Sequence, residues 1–338
     1  MKKILEKIDK LQFLNQNESY QLFKFITSRE LKRSFLESIL IKMHKRGESI
    51  DEIIGAIHFF SENMQFFPSP NYIFSDIVGT GGDLKNTINV STASSFVASA
   101  CGFKIIKHCN QGISSTCGSA DLLKKFNIDL NVSANASRQC LEKLNICFLF
   151  APKYHHGFQN VNVVRKFLKI RTIFNILGPF LNPAKPSIIL IGVYNKNFMI
   201  PAIEILKQLK YKRAIVVHGN NTDEVVLWGK TYVSELNNSN IVSYKLTPED
   251  FGLKNYTNPI FFQSSPEQNY SIIKNVMQGQ GSAFYEELIA VNVAMLLKLF
   301  GEHDLKKNTQ LALNKIRSGD VYQHIINVSH ALKEKKYE

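Results

Sequence analysis

The chain offers little sulfur chemistry. Its five cysteines (Cys101, Cys109, Cys117, Cys140 and Cys147) never stand in a C-x-x-C spacing. That removes zinc frameworks and thiol redox motifs and leaves reduced, unpaired thiols, as expected of a cytoplasmic protein. No apolar run reaches membrane-spanning length, and the opening MKKILEKIDK is too charged for the core of a secretory signal. The commonest phosphate motifs are missing too. There is no run of Gly, four residues, then Gly-Lys-Ser or Gly-Lys-Thr. A dinucleotide fingerprint starting at Gly79 and Gly81 would need glycine where Leu84 stands. Acidic residues are scarce: 28 Asp and Glu face 41 Lys and Arg, for a formal net charge of +13. Such an excess suits a nucleic-acid partner. Here the basic residues are spread along the chain, densest at Lys2-Lys3, Lys124-Lys125 and the KEKK near the C-terminus, with no arginine-rich arm. That spread argues against nucleic acid, and a Lys-, Asn- and Ile-rich coding bias produces the same charge.

What is present is enough apolar material, 44% of 338 residues, for one large core and a small satellite domain. Over the first 65 or so residues, Ile4, Ile8 and Leu11, then Leu22, Phe23 and Ile26, then Phe35, Ile39 and Met43, then Ile53, Ile54 and Ile57 recur at helical spacing. They predict a helical N-terminal domain ended by Pro68 and Pro70. Apolar strand-like runs follow near 74–78, 103–106, 146–150, 188–193, 214–217 and 225–228, alternating with helical stretches such as 197–210 and 282–300. That alternation predicts an α/β fold with a mostly parallel central sheet.

Between Asp76 and Asp121 the chain reads as an anion site. A strand ending at Val78 runs into Gly79, Gly81 and Gly82, and Asn89-Val90-Ser91-Thr92 then opens a helix. Glycines let backbone N–H groups approach a phosphate, and a helix N-terminus attracts it. Three glycines in four residues are by themselves more often a tight turn. The strand before them and the helix after them favour phosphate. FKIIKHCN then predicts a buried strand that delivers Lys107 and His108 at its C-terminal end, where ligands of open parallel sheets sit. A lone strand-end lysine is ordinarily solvated surface; here it would face the crevice lined by Gly79 to Asp83. The next stretch, QGISSTCGSAD, suits a loop that wraps an anion and starts a helix near Ser119.

Taken in order, D-I-V-G-T-G-G-D, N-x-S-T, K-H-x-N and S-S-x-x-G-S-A-D resemble the anthranilate phosphoribosyltransferase family of tryptophan biosynthesis. Ala151 to Ala184, with Arg165 and Arg171-Thr172-Ile173-Phe174-Asn175, is similar to the family's central stretch. Val216 to Gly229 is similar to its metal segment, and SEL at 234–236 to the run that follows.

The resemblance implies transfer of the phosphoribosyl group of 5-phosphoribosyl-1-pyrophosphate (PRPP) to the amine of anthranilate, with pyrophosphate leaving. It implies PRPP contacts at Gly79, Gly82, Asp83 and Thr87, through Asn89, Val90, Ser91 and Thr92, and from Lys107 through His108, Cys109, Asn110, Gln111, Gly112, Ile113, Ser114 and Ser115, with Ser119 beyond. Arg165, with Asn110 and Gly79, would take anthranilate, since a guanidinium matches a carboxylate in two bonds. His108 and Pro179 would line that slot. Mg²⁺, two ions per site, would be held by Asp223 and Glu224 with the Ser91 hydroxyl. Read alone, a DE pair after NNT is ordinary turn chemistry, and Arg165 in VVRKFL is an ordinary solvated helix arginine. An aromatic amine is neutral near pH 7, so no strong base is required. His108 could assist proton removal, with a packing or hydrogen-bonding role equally open. Cys109 beside it makes a poor catalytic couple, because neighbours on a strand point to opposite faces.

In architecture the resemblance implies a fold of the nucleoside phosphorylase and type III phosphoribosyltransferase kind. Residues 1–66 with about 155–180 would form a helical, dimerising domain. Residues 67–154 with 181–338 would form the α/β domain carrying the PRPP and metal site, beside a cleft that closes on substrates. A homodimer without membrane attachment is implied; association with a glutamine-hydrolysing anthranilate synthase subunit is left open. Departures are specific. Cys109 and Gln111 stand where the family has Gly and Arg, Thr116 and Cys117 where Lys and Ser are commoner, and His156 where Pro is usual. Two cations are thereby lost, so weakened PRPP binding is expected, and at a position that favours glycine either Cys109 is strained or the loop sits differently. Two rivals share the broad fold: a non-catalytic nucleic-acid-binding relative and a pyrimidine nucleoside phosphorylase. The Asp223-Glu224 pair, Arg165 and the DIVGTGGD and RTIFN runs favour the transferase.

Overall fold

The computed structural model describes residues 1–27, 31–81, 88–112, 117–168, 170–257 and 265–333. The chain divides into two compact units: Met1–Phe66 with Ala151–Pro183, and Phe67–Phe150 with Ala184–Glu338.

The first unit is helical among its described residues. It contains α1 (Lys2–Asp9), α2 (Gln16–Ile26), α3 (Arg33–Arg46) and α4 (Ile50–Glu62), with α8 (Ala151–Tyr154), α9 (Phe158–Leu168) and α10 (Ile173–Leu177) from the second segment. Apolar residues at helical spacing face inward: Leu22, Phe23 and Ile26 of α2 and Ile53, Ile54 and Ile57 of α4 are all buried. Helices α2 and α4 pack closely because Gly55 has no side chain; a Cβ there would lie 2.2 Å from the carbonyl oxygen of Gln16. Both helices begin with capping boxes, Asn15 with Glu18 and Ser49 with Glu52. Glu52 does more than cap. Fully buried, it accepts N–H bonds from Leu14 (3.1 Å) and Ser49 (3.0 Å) and forms a two-bonded ion pair with the buried side chain of Arg46. Glu48, next to this pair, has its carboxyl pushed up to about 7, first by burial and then by the Glu52 charge.

The second unit is built on a seven-stranded sheet in the order β3-β2-β1-β4-β5-β6-β7. The strands are β1 (Ser75–Gly79), β2 (Ile105–Cys109), β3 (Ile146–Phe150), β4 (Ile188–Gly192), β5 (Arg213–Gly219), β6 (Thr231–Asn237) and β7 (Asn240–Leu246). From β1 to β5 the pairings are parallel; β6 and β7 run antiparallel to their neighbours. The helices are α5 (Val90–Ala100), α6 (Ser119–Lys125), α7 (Ala134–Leu144), α11 (Met199–Gln208), α12 (Pro266–Met277), α13 (Ala283–Leu299), α14 (Leu305–Arg317) and α15 (Asp320–Lys333). Helix α13 is apolar on almost every side and correspondingly buried from Leu288 to Leu297. Among the described residues no helix is long and apolar enough to cross a membrane.

The α/β class and the mostly parallel sheet agree with expectation, but three details differ. The strand expected at 225–228 does not form. Val225 to Trp228 are buried outside any strand, and their polar backbone is satisfied by side chains. Asn292 of α13 accepts from Val225 N–H (3.0 Å) and donates to its carbonyl (2.9 Å), and Thr231 Oγ1 accepts from Val226 N–H (3.1 Å). An apolar run alone cannot distinguish burial in a ladder from burial under a helix. Strands β6 and β7 were not foreseen, although Asn238 and Ser239, both with positive φ (45° and 76°), make the kind of two-residue turn that joins antiparallel strands. Finally, β2 starts two residues later than predicted and includes Lys107 to Cys109.

Breaking the Arg46–Glu52 pair leaves an arginine buried without its carboxylate. Glu52→Ala is expected to cost about 3–5 kcal/mol of stability, read as a lower urea midpoint. A midpoint equal to the parent's would show that the pair holds nothing together.

Candidate active site

The sheet changes its winding direction at β1: β2 and β3 extend to one side, β4 and β5 to the other. In open α/β sheets the crevice at such a switch point, beyond the strand C-termini, receives ligands. Here three strands end there in glycine: Gly79 on β1, Gly192 on β4 and Gly219 on β5. Gly79 and Gly192 are register partners, and Thr80 N–H continues the pairing onto the Gly192 carbonyl (2.9 Å). Each glycine makes room for the loop after β5. A Cβ on Gly192 would lie 1.6 Å from the carbonyl oxygen of Asp223, one on Gly219 2.3 Å from that of Glu224, and one on Gly79 2.2 Å from Asp223 Oδ2. The loop reaches this position through Asn220 and Asn221, both with positive φ (41° and 64°), a conformation that asparagine tolerates. Thr222, fully buried, closes it by donating its hydroxyl to the Gly219 carbonyl (2.6 Å).

The two carboxylates are thus laid across the strand ends. Asp223 Oδ2 accepts from Gly81 N–H at 2.8 Å, and Ser91 of α5 donates its hydroxyl to Glu224 Oε1 at 3.3 Å. Glycine loop, helix start and acidic pair therefore meet at one place. Their exposed donors are oxygens, the set that Mg²⁺ prefers. Among the described residues no group of three or more His, Cys, Asp or Glu forms a cage, and Mg²⁺ held by two carboxylates and a substrate's phosphates needs none.

Lys107 is not where a strand-end cation was expected. It lies inside β2, is 2% exposed, and donates to the Ile77 carbonyl of β1 at 2.5 Å. Burial pulls its ammonium below the ordinary lysine range, while Asp76, Cys109 and Glu224 act in the opposite sense. The lysine is therefore neither solvated surface nor an arm reaching into the crevice; it is buried beneath it, where desolvation disfavours its charged form. His108, one residue on, is also buried, and its backbone N–H donates to Asp76 Oδ2 (3.2 Å). Asp76, fully buried in β1, is the acidic partner that sequence reasoning passed over. Its only signal was an acid at the start of an apolar strand.

Cys109 carries no strain. It is the last residue of β2, paired with Phe150 in extended backbone, absent from the positive-φ residues, with its thiol directed to the Leu149 carbonyl (3.5 Å). Glycine's freedom is not needed there, which corrects the expectation of a distorted loop. Burial pushes the thiol up to about 12, so it is not a nucleophile. All five cysteines are free.

Beyond β2, Asn110 and Ser119 hold each other: Ser119 Oγ accepts from Asn110 N–H and donates to its carbonyl, both at 3.2 Å. Asp121 Oδ2 accepts from Gly112 (3.1 Å) and Gly118 (2.9 Å), pinning both ends of the intervening loop. A Cβ on Gly118 would lie 2.1 Å from the Gly112 nitrogen, so glycine is required for the closure. Asn89, the N-cap of α5, is fixed from α12: Asn269 Oδ1 accepts its N–H (3.2 Å), and Asn269 Nδ2 donates back to Asn89 Oδ1. Asn89 Nδ2 also donates to the Cys117 carbonyl (3.2 Å), joining the start of α5 to the segment before α6. Val90 and Thr92 are buried in the first turn of α5. Neither Asn269 nor Asp121 figured among the predicted site residues, since their role depends on contacts between elements. Gly82, Asp83, Thr87, Ile113, Ser114, Ser115 and Thr116 lie outside the described residues.

Arg165 belongs to the helical unit, on α9. It is 8% exposed, so it is not an ordinary solvated helix arginine. Its guanidinium stands 5.7 Å from the Phe174 ring centroid, and burial pulls its pKa down to about 10, which still leaves it cationic at neutral pH. Pro179 is buried and His156 exposed in the same unit. Back in the α/β unit, an open cavity of about 410 Å³ is lined by Tyr194, Asn195, Lys196, His218, Asn220, Asn221 and Tyr232. It contains none of the predicted PRPP residues.

Because the added methyl would overlap the Asp223 carbonyl, Gly192→Ala is expected to lose about 1–3 kcal/mol. It should also loosen the bond from Gly81 to Asp223, seen as faster hydrogen exchange at the Gly81 amide. Unchanged melting and exchange would mean that the loop does not rest on Gly192.

Residues 71–322 match the family model described as "Glycosyl transferase family, a/b domain". The chain is 64% identical over 334 residues to an anthranilate phosphoribosyltransferase of Buchnera aphidicola subsp. Acyrthosiphon pisum (strain APS), covering 99% of this chain and 98% of that one. It is 61% identical over 334 residues to that of Buchnera aphidicola subsp. Schizaphis graminum (strain Sg), covering 99% and 100%. Among solved structures, the anthranilate phosphoribosyltransferase of Thermus thermophilus superimposes with a TM-score of 0.89 at 31% identity, covering 98% of this chain and 99% of that chain. The Saccharomyces cerevisiae enzyme in complex with PRPP and Mg does so with 0.86 at 26%, covering 98% of each. Strand ends, helix start and acidic pair thus stand on a backbone shared along its whole length, and the chain belongs to the anthranilate phosphoribosyltransferase family.

Proposed function

We propose that this chain transfers the phosphoribosyl group of PRPP to the amine of anthranilate, giving N-(5-phosphoribosyl)anthranilate and pyrophosphate. The observation that carries this reading is the convergence of Ser91, Asp223 and Glu224 with the Gly79–Gly81 turn at the sheet's switch point. The yeast relative solved with PRPP and Mg supports it.

In the reaction the bond from C1 of the ribose to the pyrophosphate oxygen breaks and its electron pair leaves with pyrophosphate. A bond from the amine nitrogen to C1 forms, and the nitrogen gives up a proton. The transition state resembles an oxocarbenium ion, so the protein's work is to hold charge and geometry. Backbone amides of Gly79, Gly82 and Asp83 and the start of α5 at Asn89 to Thr92 would take phosphate oxygens. The segment from Lys107 to Gly112, with Ser119, would take others; Asp121 holds Gly112 and Gly118. Lys107 lies below them, bonded to the Ile77 carbonyl. Asp223, Glu224 and the Ser91 hydroxyl would hold Mg²⁺, two ions per site, which when bound neutralises charge on the departing pyrophosphate. Arg165 would pair with the anthranilate carboxylate, with Gly79 and Asn110 as further contacts. The His108 side chain is buried within β2, which favours a packing role over that of a base.

We further place the enzyme in the cytoplasm, consistent with five free cysteines, as a homodimer formed through the helical unit. Phe35 and Ile41 of α3 and Val163 and Phe167 of α9 leave apolar surface exposed there.

Two outcomes test this reading. Mixing the protein with PRPP, Mg²⁺ and anthranilate should consume anthranilate fluorescence, and omitting the metal should stop it. Changing Asp223 and Glu224 together to Ala should abolish the metal-dependent rate with folding intact, whereas unchanged rates would remove them from the metal site. Separately, Arg165→Ala should raise the KM for anthranilate by about tenfold or more and leave that for PRPP nearly unchanged; equal losses for both substrates would point to a structural role.

A further inference from the structure

Helix α13 would form without Asn292. Its sequence, AFYEELIAVNVAMLLKL, is apolar around the middle, and Ala or Leu would fit both the helix and the core better than an amide. Asn292 is nonetheless 1% exposed in the middle of that helix. Every polar atom of its side chain is engaged: Oδ1 accepts from Val225 N–H at 3.0 Å, and Nδ2 donates to the Val225 and Leu288 carbonyls, each at 2.9 Å.

Val225 N–H belongs to the peptide bond that begins at the Glu224 carbonyl. That carbonyl sits against Gly219, where a Cβ would lie 2.3 Å away. The peptide is therefore gripped from two sides, by a bare backbone at the end of β5 and by a buried amide from α13. Only the Glu224 side chain projects from it, toward Ser91. A planar amide bonded to both polar atoms of one residue fixes the orientation of that residue's backbone. It replaces the ladder that a strand at 225–228 would have provided.

We infer that Asn292 is a positioning residue for Glu224: its carboxamide sets the 224–225 peptide so that the carboxylate stands opposite Ser91 before any ligand arrives. The inference rests on the reading of Glu224 as a Mg²⁺ residue. Asn292 touches neither metal nor substrate in this role and acts through Val225 alone.

The test uses the full-length chain with PRPP and anthranilate at varied Mg²⁺. Asn292→Leu keeps the number and branching of side-chain heavy atoms and removes all three bonds. It should raise the Mg²⁺ concentration for half-maximal rate by about tenfold or more, the range in which residues supporting a metal ligand act, and leave the anthranilate KM within about twofold. Asn292→Asp, which keeps an acceptor for Val225 N–H, should show a smaller shift in the same direction and carries the test should the leucine variant fail to fold. A folded variant with lowered melting temperature but parental Mg²⁺ dependence would reduce Asn292 to packing and overturn the inference. In the native chain without metal or PRPP, the Val225 amide should exchange about a hundredfold more slowly than that of Asn221; comparable exchange would also overturn it. A parent lacking Mg²⁺-dependent turnover would sink the metal reading instead, and the exchange result would still decide whether Asn292 holds the peptide.

Discussion

Everything at the candidate site depends on how closely two stretches of backbone approach. The loop carrying Asp223 and Glu224 lies directly on the C-terminal ends of β1, β4 and β5, and it can do so only because Gly79, Gly192 and Gly219 end those strands. A single methyl at the middle one would overlap the Asp223 carbonyl. The acidic pair is brought to the switch point of the sheet by omission of side chains, and no long acidic arm is required. Once there, it meets the Gly81 amide from the glycine loop and Ser91 from the first turn of α5.

Around this contact the protein spends buried polar groups freely, and each has partners. Asp76 and Lys107 sit in adjacent strands under the crevice, Asn269 grips Asn89, Asp121 ties Gly112 to Gly118, and Asn292 holds Val225. Buried amides and carboxylates are costly when unpaired and directional when paired. They fix backbone segments that apolar packing alone would leave free to slide. The helical unit uses the same device once, in the Arg46–Glu52 pair.

Much of this was legible in the chain. The helical spacing from Ile4 to Ile57, the alternation of apolar runs with helices, the glycine turn before Asn89-Val90-Ser91-Thr92 and the Asp223-Glu224 pair all pointed to what the structure contains. The reason is that local periodicity and turn chemistry are properties of neighbouring residues. Three readings went astray for one common cause. Val225 to Trp228 are apolar enough for a strand, Lys107 stood near a predicted strand end, and Cys109 occupied a family glycine position. In each case the outcome was set by what packs against the segment. Asn292 and Thr231 took over the hydrogen bonds of the first, the extra length of β2 buried the second, and regular pairing with Phe150 relieved the third.

The kinds of element, the class of fold, and the presence of a glycine-rich turn and an acidic pair could be read from the chain, because they follow from spacing of 2 or 3.6 residues and from the chemistry of individual side chains. The folded chain alone shows that the glycine turn and the pair share one place, that Lys107 is buried, and that Asp76, Asp121, Asn269 and Asn292 bond to the segments around them. Those facts rest on residues separated by up to 180 positions, as in the pairing of Asn89 with Asn269. A distance of that kind is set by the winding of the sheet and the packing of its helices, and no local pattern encodes it.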